Sequence, residues 1–261
     1  MTVVSASLVK ELRDQTGAGM MDCKRALEES GGDLDAARRI LREKGMASAA
    51  KRAERGTPEG VVLAAIDGDV GALVAVGCET EPVSKNDEFR AFAERVLRAV
   101  EEGGPEALAG LETARQELVA KLGENIQVAG ATRMQAGPGE SLVAYVHPPA
   151  NKIGVLVRAA GHASQARDLA MHIAFAKPRY LKRDEVPASE ADAEREVLAS
   201  TEDVLSKPEN VRDRIVEGRL QKWFADSVLL EQPWFRDAGT TVQKELGGME
   251  VLEFAVYALG S

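Results

Sequence analysis

The sequence predicts an α+β fold assembled from several small units, and three observations carry that prediction. Apolar residues recur at helical spacing in 6–44, 84–122 and 184–224. Two short apolar hairpins, 61–76 and 142–157, interrupt that period, and each is followed by a helical stripe. The chain has 261 residues, enough for two or three modest domains at about 100–150 residues each.

The first unit, 1–45, reads as three short helices. Leu8 and Leu12 lie four apart, Thr16-Gly17-Ala18-Gly19 breaks the pattern, and Met20, Met21, Ala26 and Leu27 continue it. Ser30-Gly31-Gly32 breaks it again, Asp33 is an N-cap, and Leu34, Ala37, Ile40 and Leu41 form a third stripe ending at Gly45. So small a core needs a neighbour. Residues 46–58 are polar, alanine-rich and locally basic through Lys51, Arg52 and Arg55, and read as a partly helical linker.

In 59–136 the strands Val61–Ile66 and Ala72–Val76 flank Asp67-Gly68-Asp69, a tight-turn sequence. Ser84 and Asp87 are spaced as a capping box ahead of the stripe Phe89, Phe92, Ala93, Val96, Leu97 and Val100. A second helix carries Leu111, Leu118, Val119 and Leu122, and Gly123 stops it. Residues 137–183 repeat the scheme: strand 141–146, turn 147–151, strand 153–157, then a helix from about Ser164 to Ala174. Two related α+β subdomains with antiparallel sheets follow from this, a weak internal duplication.

Residues 184–224 read as an antiparallel, coiled-coil-like helical hairpin. Ala191, Leu198 and Leu205 are spaced by seven with Val197 and Val204 beside them, Lys207-Pro208 turns the chain, and Val211, Ile215, Val216, Leu220 and Trp223 return. Eight acids against one base in 184–206 face five bases against three acids in 207–222, a charge difference that favours folding back. The last unit, 225–261, holds a short helix near 242–246 and an apolar strand from Val251 to Leu259, expected to join a sheet built earlier.

Composition narrows the function without naming it. Asp and Glu number 42 against 33 Lys and Arg, a net charge of −9, and aromatics are 4% of the chain. That balance argues against a general binder of nucleic acid or anionic membrane, and the scarcity of aromatics against base stacking. No uncharged apolar run approaches the ~20 residues of a membrane span. Met1–Lys10 shows no secretory pattern, so a cytoplasmic location is expected. Cys23 and Cys78 cannot form a disulfide framework or a structural zinc site, and are read as small buried hydrophobes. His147, His162 and His172 have no metal-ligand spacing, and no nucleophile, metalloprotease or phosphate-loop motif is present. The expectation is a binding protein with no enzyme activity, cofactor or metal of its own.

The stretch Leu12-Arg13-Asp14-Gln15-Thr16-Gly17-Ala18-Gly19-Met20-Met21-Asp22-Cys23-Lys24-Arg25-Ala26-Leu27 closely resembles the N-terminal motif of the bacterial elongation factor Ts family. Further resembling segments follow in family order: Lys121–Ile126, Tyr145–His147, Lys152–Val157, Ala170–Ala174, Ile215–Leu220 and Leu230–Pro233. The resemblance covers nearly the whole chain. It implies a ubiquitin-associated-like helical module, a two-part α+β core, a helical hairpin and a C-terminal module. It further implies a guanine-nucleotide exchange factor that binds elongation factor Tu and speeds GDP release, with the nucleotide held by the partner.

Residue by residue, the resemblance implies that Arg13, Met20, Met21 and Lys24 dock on the partner's GTPase domain, joined by Phe235. Gly123 and His147 would face its other domains and phosphate-loop side. From the residues alone, one of Met20 and Met21 is expected in the helical core, and His172 is a satisfied core histidine. The family usually has a Thr-Asp-Phe-Val loop after the first hairpin, whose Asp and Phe disturb the Mg²⁺ side of the partner's nucleotide site. Here that loop is Thr80-Glu81-Pro82-Val83: the carboxylate is one methylene longer and the aromatic is replaced by proline. This departure leaves open an exchanger in which Glu81 and the wider surface suffice, a slower exchanger, or a diverged relative that binds elongation factor Tu without exchange.

Overall fold

A computed structural model describes residues 4–161 and 165–260, without the side chains at 46, 48 and 50. His162 and the expected helix start at Ser164 lie outside the described residues.

Helices α1 (Ala6–Thr16), α2 (Met20–Glu29) and α3 (Leu34–Arg52) form the N-terminal module. Ser5 caps α1, Gly17 ends it with φ 66, and Asp33 caps α3 by accepting from the Ala36 N–H at 2.9 Å. The core is Val9, Leu12, Cys23, Ala26, Leu27 and Ala37. Helix α3 does not stop at Gly45 as the sequence reading expects, and much of the 46–58 linker belongs to it. Alanines sustain the helix past that point, and the glycine serves packing: a Cβ there would stand 2.7 Å from the Ala120 Cβ. The module leans on the next unit through this contact.

That unit opens with β1 (Glu59–Asp67) and β2 (Val70–Cys78), joined by Gly68-Asp69 with Gly68 at φ 58. Next come a one-turn helix α4 (Glu81–Ser84), then α5 (Asp87–Gly103), a 3₁₀ stretch, and α6 (Glu112–Leu122), which Gly123 ends at φ 76. The capping box is not formed. Asn86 caps α5, accepting from the Glu88 and Phe89 N–H groups, while Ser84 is buried in α4 and donates to the Glu81 carbonyl. A strand not foreseen from the sequence, β3 (Ile126–Gln135), pairs with β2 and completes a sheet in the order β1-β2-β3.

The second sheet repeats this order. Strands β4 (Glu140–Val146) and β5 (Ile153–Ala160) form the hairpin, helix α7 (Ala166–Ala176) follows, and β8 (Glu250–Ala258) pairs with β5. In both sheets the return strand of the hairpin is central, and the third strand carries a one-residue register shift early in its course.

Side chains alternate between two layers, as the pleat requires. Val62, Leu73, Ala75, Leu156, Ala255 and Tyr257 lie between the sheets. Ala72, Val74 and Val76 instead face α5 and α6, and Val155, Val157 and Ala159 face α7. The result is helix, sheet, sheet, helix. Both central strands are covered on two faces, which is why they read as unbroken apolar runs. Glycines bring the sheets close: a Cβ on Gly154 would lie 2.4 Å from Val62 Cγ1, and one on Gly130 2.4 Å from the Tyr257 ring.

Between α7 and β8 come α8 (Ala188–Ala199), a one-turn α9 (Glu202–Leu205), α10 (Glu209–Ser227), a small hairpin of β6 (Pro233–Trp234) and β7 (Asp237–Thr241), and α11 (Val242–Glu245). The heptad does not run through the first arm. The chain breaks at Ser200-Thr201, so Val204 is buried while Val197 and Leu205 face solvent. The opposite charges of the arms meet in the Asp203–Arg219 pair, and Arg219 also holds Thr201 Oγ1 at 3.2 Å.

Candidate functional site

The expected partner-binding residues fall into three surface groups. In the N-terminal module, Arg13, Met20, Met21 and Lys24 are all exposed. Met20 and Met21 are 57% and 62% exposed, so neither fills the helical core; Cys23, Ala26 and Leu27 do that from the same helix. Two solvent-facing methionines at the start of α2 make a flexible apolar patch. Lys24 is only loosely engaged by Glu28, at 3.7 Å.

The second group is the segment after β2. Thr80 precedes α4, Glu81 and Pro82 form its exposed first turn, and Val83 is half-buried against the first core. Proline suits that place, because a first-turn N–H has no partner within the helix. Glu81 meets Lys85 at 2.7 Å across one turn, which holds its carboxyl below the usual range. Both side chains are largely exposed, so this pair contributes little to stability. Behind the turn, Cys78 is buried, its thiol donates to the Thr80 carbonyl at 3.3 Å, and burial pushes its pKa up to about 12. It is a packing residue, as is buried Cys23.

Gly123 belongs with this second group. It is followed by Glu124, whose carboxylate accepts the Thr80 hydroxyl at 2.6 Å and the Glu79 and Thr80 N–H groups at 3.1 and 3.0 Å. Lys152, paired with Glu59 at 2.6 Å, follows the β4–β5 turn that begins at His147. The Asn151 carbonyl in that turn accepts the Val62 N–H at 2.7 Å, which docks the turn on β1. His147 itself is exposed, with the Tyr145 hydroxyl 2.8 Å from Nδ1.

The third group is Phe235, 37% exposed at the tip of the β6–β7 hairpin. Beneath it, His172 is buried and satisfied on both nitrogens. Nδ1 accepts the Phe235 N–H at 3.3 Å, and Nε2 lies 2.9 Å from Gln232 Oε1. With Nδ1 accepting, the proton sits on Nε2 and donates to Gln232. Trp234 stacks on the imidazole, Phe235 meets it edge-on, and Arg236, paired with Asp168 at 2.7 Å, lies over the Phe235 ring. Burial lowers the His172 pKa and keeps the ring neutral.

Four residues that shape the second group were not singled out as site residues from the sequence: Glu79, Lys85, Glu124 and Asn125. Glu124 and Asn125 lie inside the resembling segment Lys121–Ile126, but their partners stand more than 40 positions away. Among the described residues no cluster of three metal-ligating side chains occurs, and no helix is long and apolar enough to cross a membrane.

Residues 79–261 match the family described as Elongation factor TS. Similar proteins, each named "Elongation factor Ts", include one from Halorhodospira halophila, 45% identical over 98% of this chain and 92% of the relative. One from Alkalilimnicola ehrlichii is 41% identical over the same shares. One from Chlorobium phaeobacteroides is 39% identical over 94% of this chain and 92% of its own length.

Proposed function

From the membership of this chain in the elongation factor Ts family, a family of translation elongation factors, we propose that it is a guanine-nucleotide exchange factor which binds elongation factor Tu–GDP and accelerates GDP release. The observation that carries the reading is the exposed Glu81-Pro82 turn, braced from behind and set in the position where the family resemblance expects the acting loop. In this reading the N-terminal patch and Phe235 supply docking contacts, and the turn bears on the partner's nucleotide site.

Mg²⁺ bridges nucleotide phosphates to a GTPase, so displacing its supporting helices or the phosphate loop weakens the grip on GDP. A factor that prefers the nucleotide-free partner must lower nucleotide affinity by the same ratio. The factor makes and breaks no bond, so it is not an enzyme in the bond-making sense. It holds no nucleotide of its own and acts in the cytoplasm with the translation machinery.

The test is release of a fluorescent GDP analogue from elongation factor Tu, with and without this protein. Acceleration at micromolar concentration is expected, and its absence would overturn the reading. Glu81→Ala removes an exposed carboxylate whose one close ion pair among the described residues is with Lys85, so its effect is free of large stability changes. It should slow release while leaving most of the binding intact.

A second reading has one specific observation behind it. Pro82 cannot supply the volume of the aromatic usual in the family, so the chain could be a diverged binding relative with weak or no exchange. Pro82→Phe separates the two: a faster release than wild type marks an attenuated exchanger, and a complex that never speeds release marks the binding relative.

A further inference from the structure

The Glu81-Pro82 turn is shaped from outside itself. Helix α4 has four residues, far too few to hold a conformation alone. Thr80 stands at its N-cap, yet the hydroxyl makes no capping bond and is turned instead to Glu124 Oε1. Glu124 Oε2 accepts the two backbone N–H groups of Glu79 and Thr80. The relation is reciprocal, since Glu79 Oε1 accepts the Asn125 N–H at 2.7 Å. A third strand of contacts runs onward. Arg55 reaches Glu79 at 3.4 Å, buried Asn125 donates to the Arg55 carbonyl at 2.7 Å, and Gln127 donates to the Ala53 carbonyl at 2.7 Å.

Both carboxylates are therefore committed to donors of the chain itself. Charge-assisted bonds of this kind are the stronger class, and losing the acceptor would leave two backbone N–H groups and a hydroxyl without their partner.

We propose that Glu124 is the positioning residue for exchange: its carboxylate fixes the path of Glu79–Thr80 and so the angle at which Glu81 and Pro82 meet the partner. This rests on the exchange reading above. Glu124 acts through the turn, and its charge has no direct task on the partner. A glutamine can keep this role. Its carbonyl can take the two N–H groups, and its amide can donate to Thr80 Oγ1, which accepts equally well.

The experiment compares full-length wild type, Glu124→Ala and Glu124→Gln in titrations of GDP release from elongation factor Tu. In parallel, amide hydrogen exchange of the 79–84 segment is followed. Glu124→Ala should lower the maximal release rate about tenfold, the size expected for loss of a charge-assisted contact, with the half-saturating concentration within about twofold. Glu124→Gln should retain at least about half of the maximal rate. The Glu79 and Thr80 amides should exchange faster in the alanine variant alone.

An unchanged maximal rate in Glu124→Ala overturns the proposal. So does a glutamine variant that falls as far as alanine, because the charge itself would then be acting. If Glu124→Ala does not fold, Thr80→Val removes one bond of the same clamp. A lower maximal rate at unchanged half-saturation then supports the proposal, and an unchanged rate overturns it. Should wild type fail to speed release, the exchange reading fails instead. The amide-exchange comparison still reports separately whether Glu124 holds the turn.

Discussion

In the first sheet the third strand, β3, follows directly on α6; in the second, β8 arrives only after α7, the helical arms, the small hairpin and α11. The strand order and the early register shift are otherwise the same. One half is thus closed by neighbours in sequence, and the other by a segment from far along the chain. The difference teaches that similar sheets can differ in how their stability is shared. The first core is built from residues that a local stretch supplies. The second needs Val251, Phe254 and Val256 from β8 to cover α7.

The largest test of this contrast is a chain stopped at Gly248, which lacks β8. Amide protection in β4, β5 and α7 should collapse, while β1–β3 keeps most of its own, reduced by the loss of Ala255, Tyr257 and Leu259 from the layer between the sheets. Equal loss in both halves, by hydrogen exchange, would break the contrast.

Next in size are Phe89→Ala and Leu169→Ala, each removing a fully buried side chain from one core. Costs of about 3–5 and about 2–5 kcal/mol are expected. Trp223 and Trp234 both lie in the second half, so their fluorescence in a urea titration should respond more directly to Leu169→Ala. Gly154→Ala presses on Val62 across the sheets, and should weaken both halves together by about 1–3 kcal/mol.

The smallest expected effect is on pH dependence. Burial lowers the His172 pKa in the folded state, whereas an unfolded histidine titrates near about 6.5. As pH falls below that value the unfolded chain takes up a proton that the folded chain refuses, so stability is lost. Residues 59–136 contain no histidine, so the tryptophan-reported half should weaken first between neutral and mildly acid pH. Losses from Glu81, Glu112 and Glu140, whose pKa values are lowered, follow only below the usual glutamate range.

Much of the architecture is legible in the sequence because single elements carry their own signals. The stripe from Phe89 to Val100 and the turn at Gly68 are examples. What escapes notice depends on partners distant in the chain. Strand β3 mixes Gln127, Gly130, Thr132 and Arg133, and Gly130 makes sense only against the Tyr257 ring. Gly45 reads as a helix stop until Ala120 is brought beside it. Asn86 is a better cap than Ser84 because Ser84 is drawn inward with α4. In the candidate site, the solvent-exposed residues come forward from the family resemblance, whereas the carboxylates that brace the Thr80–Val83 turn are spread between Glu79 and Glu124.

The late arrival of β8 has a consequence for the chain as it is being made. Once Gln135 has left the ribosome, the first sheet has all its strands. Strand β5, with buried Val155, Leu156 and Val157, must wait with one hydrogen-bonding edge bare until residues 161–249 have been synthesised. An apolar strand with an open edge is a template for pairing with other chains. Among its own nascent copies, this translation factor is most exposed to misassembly in the interval before its last strand appears.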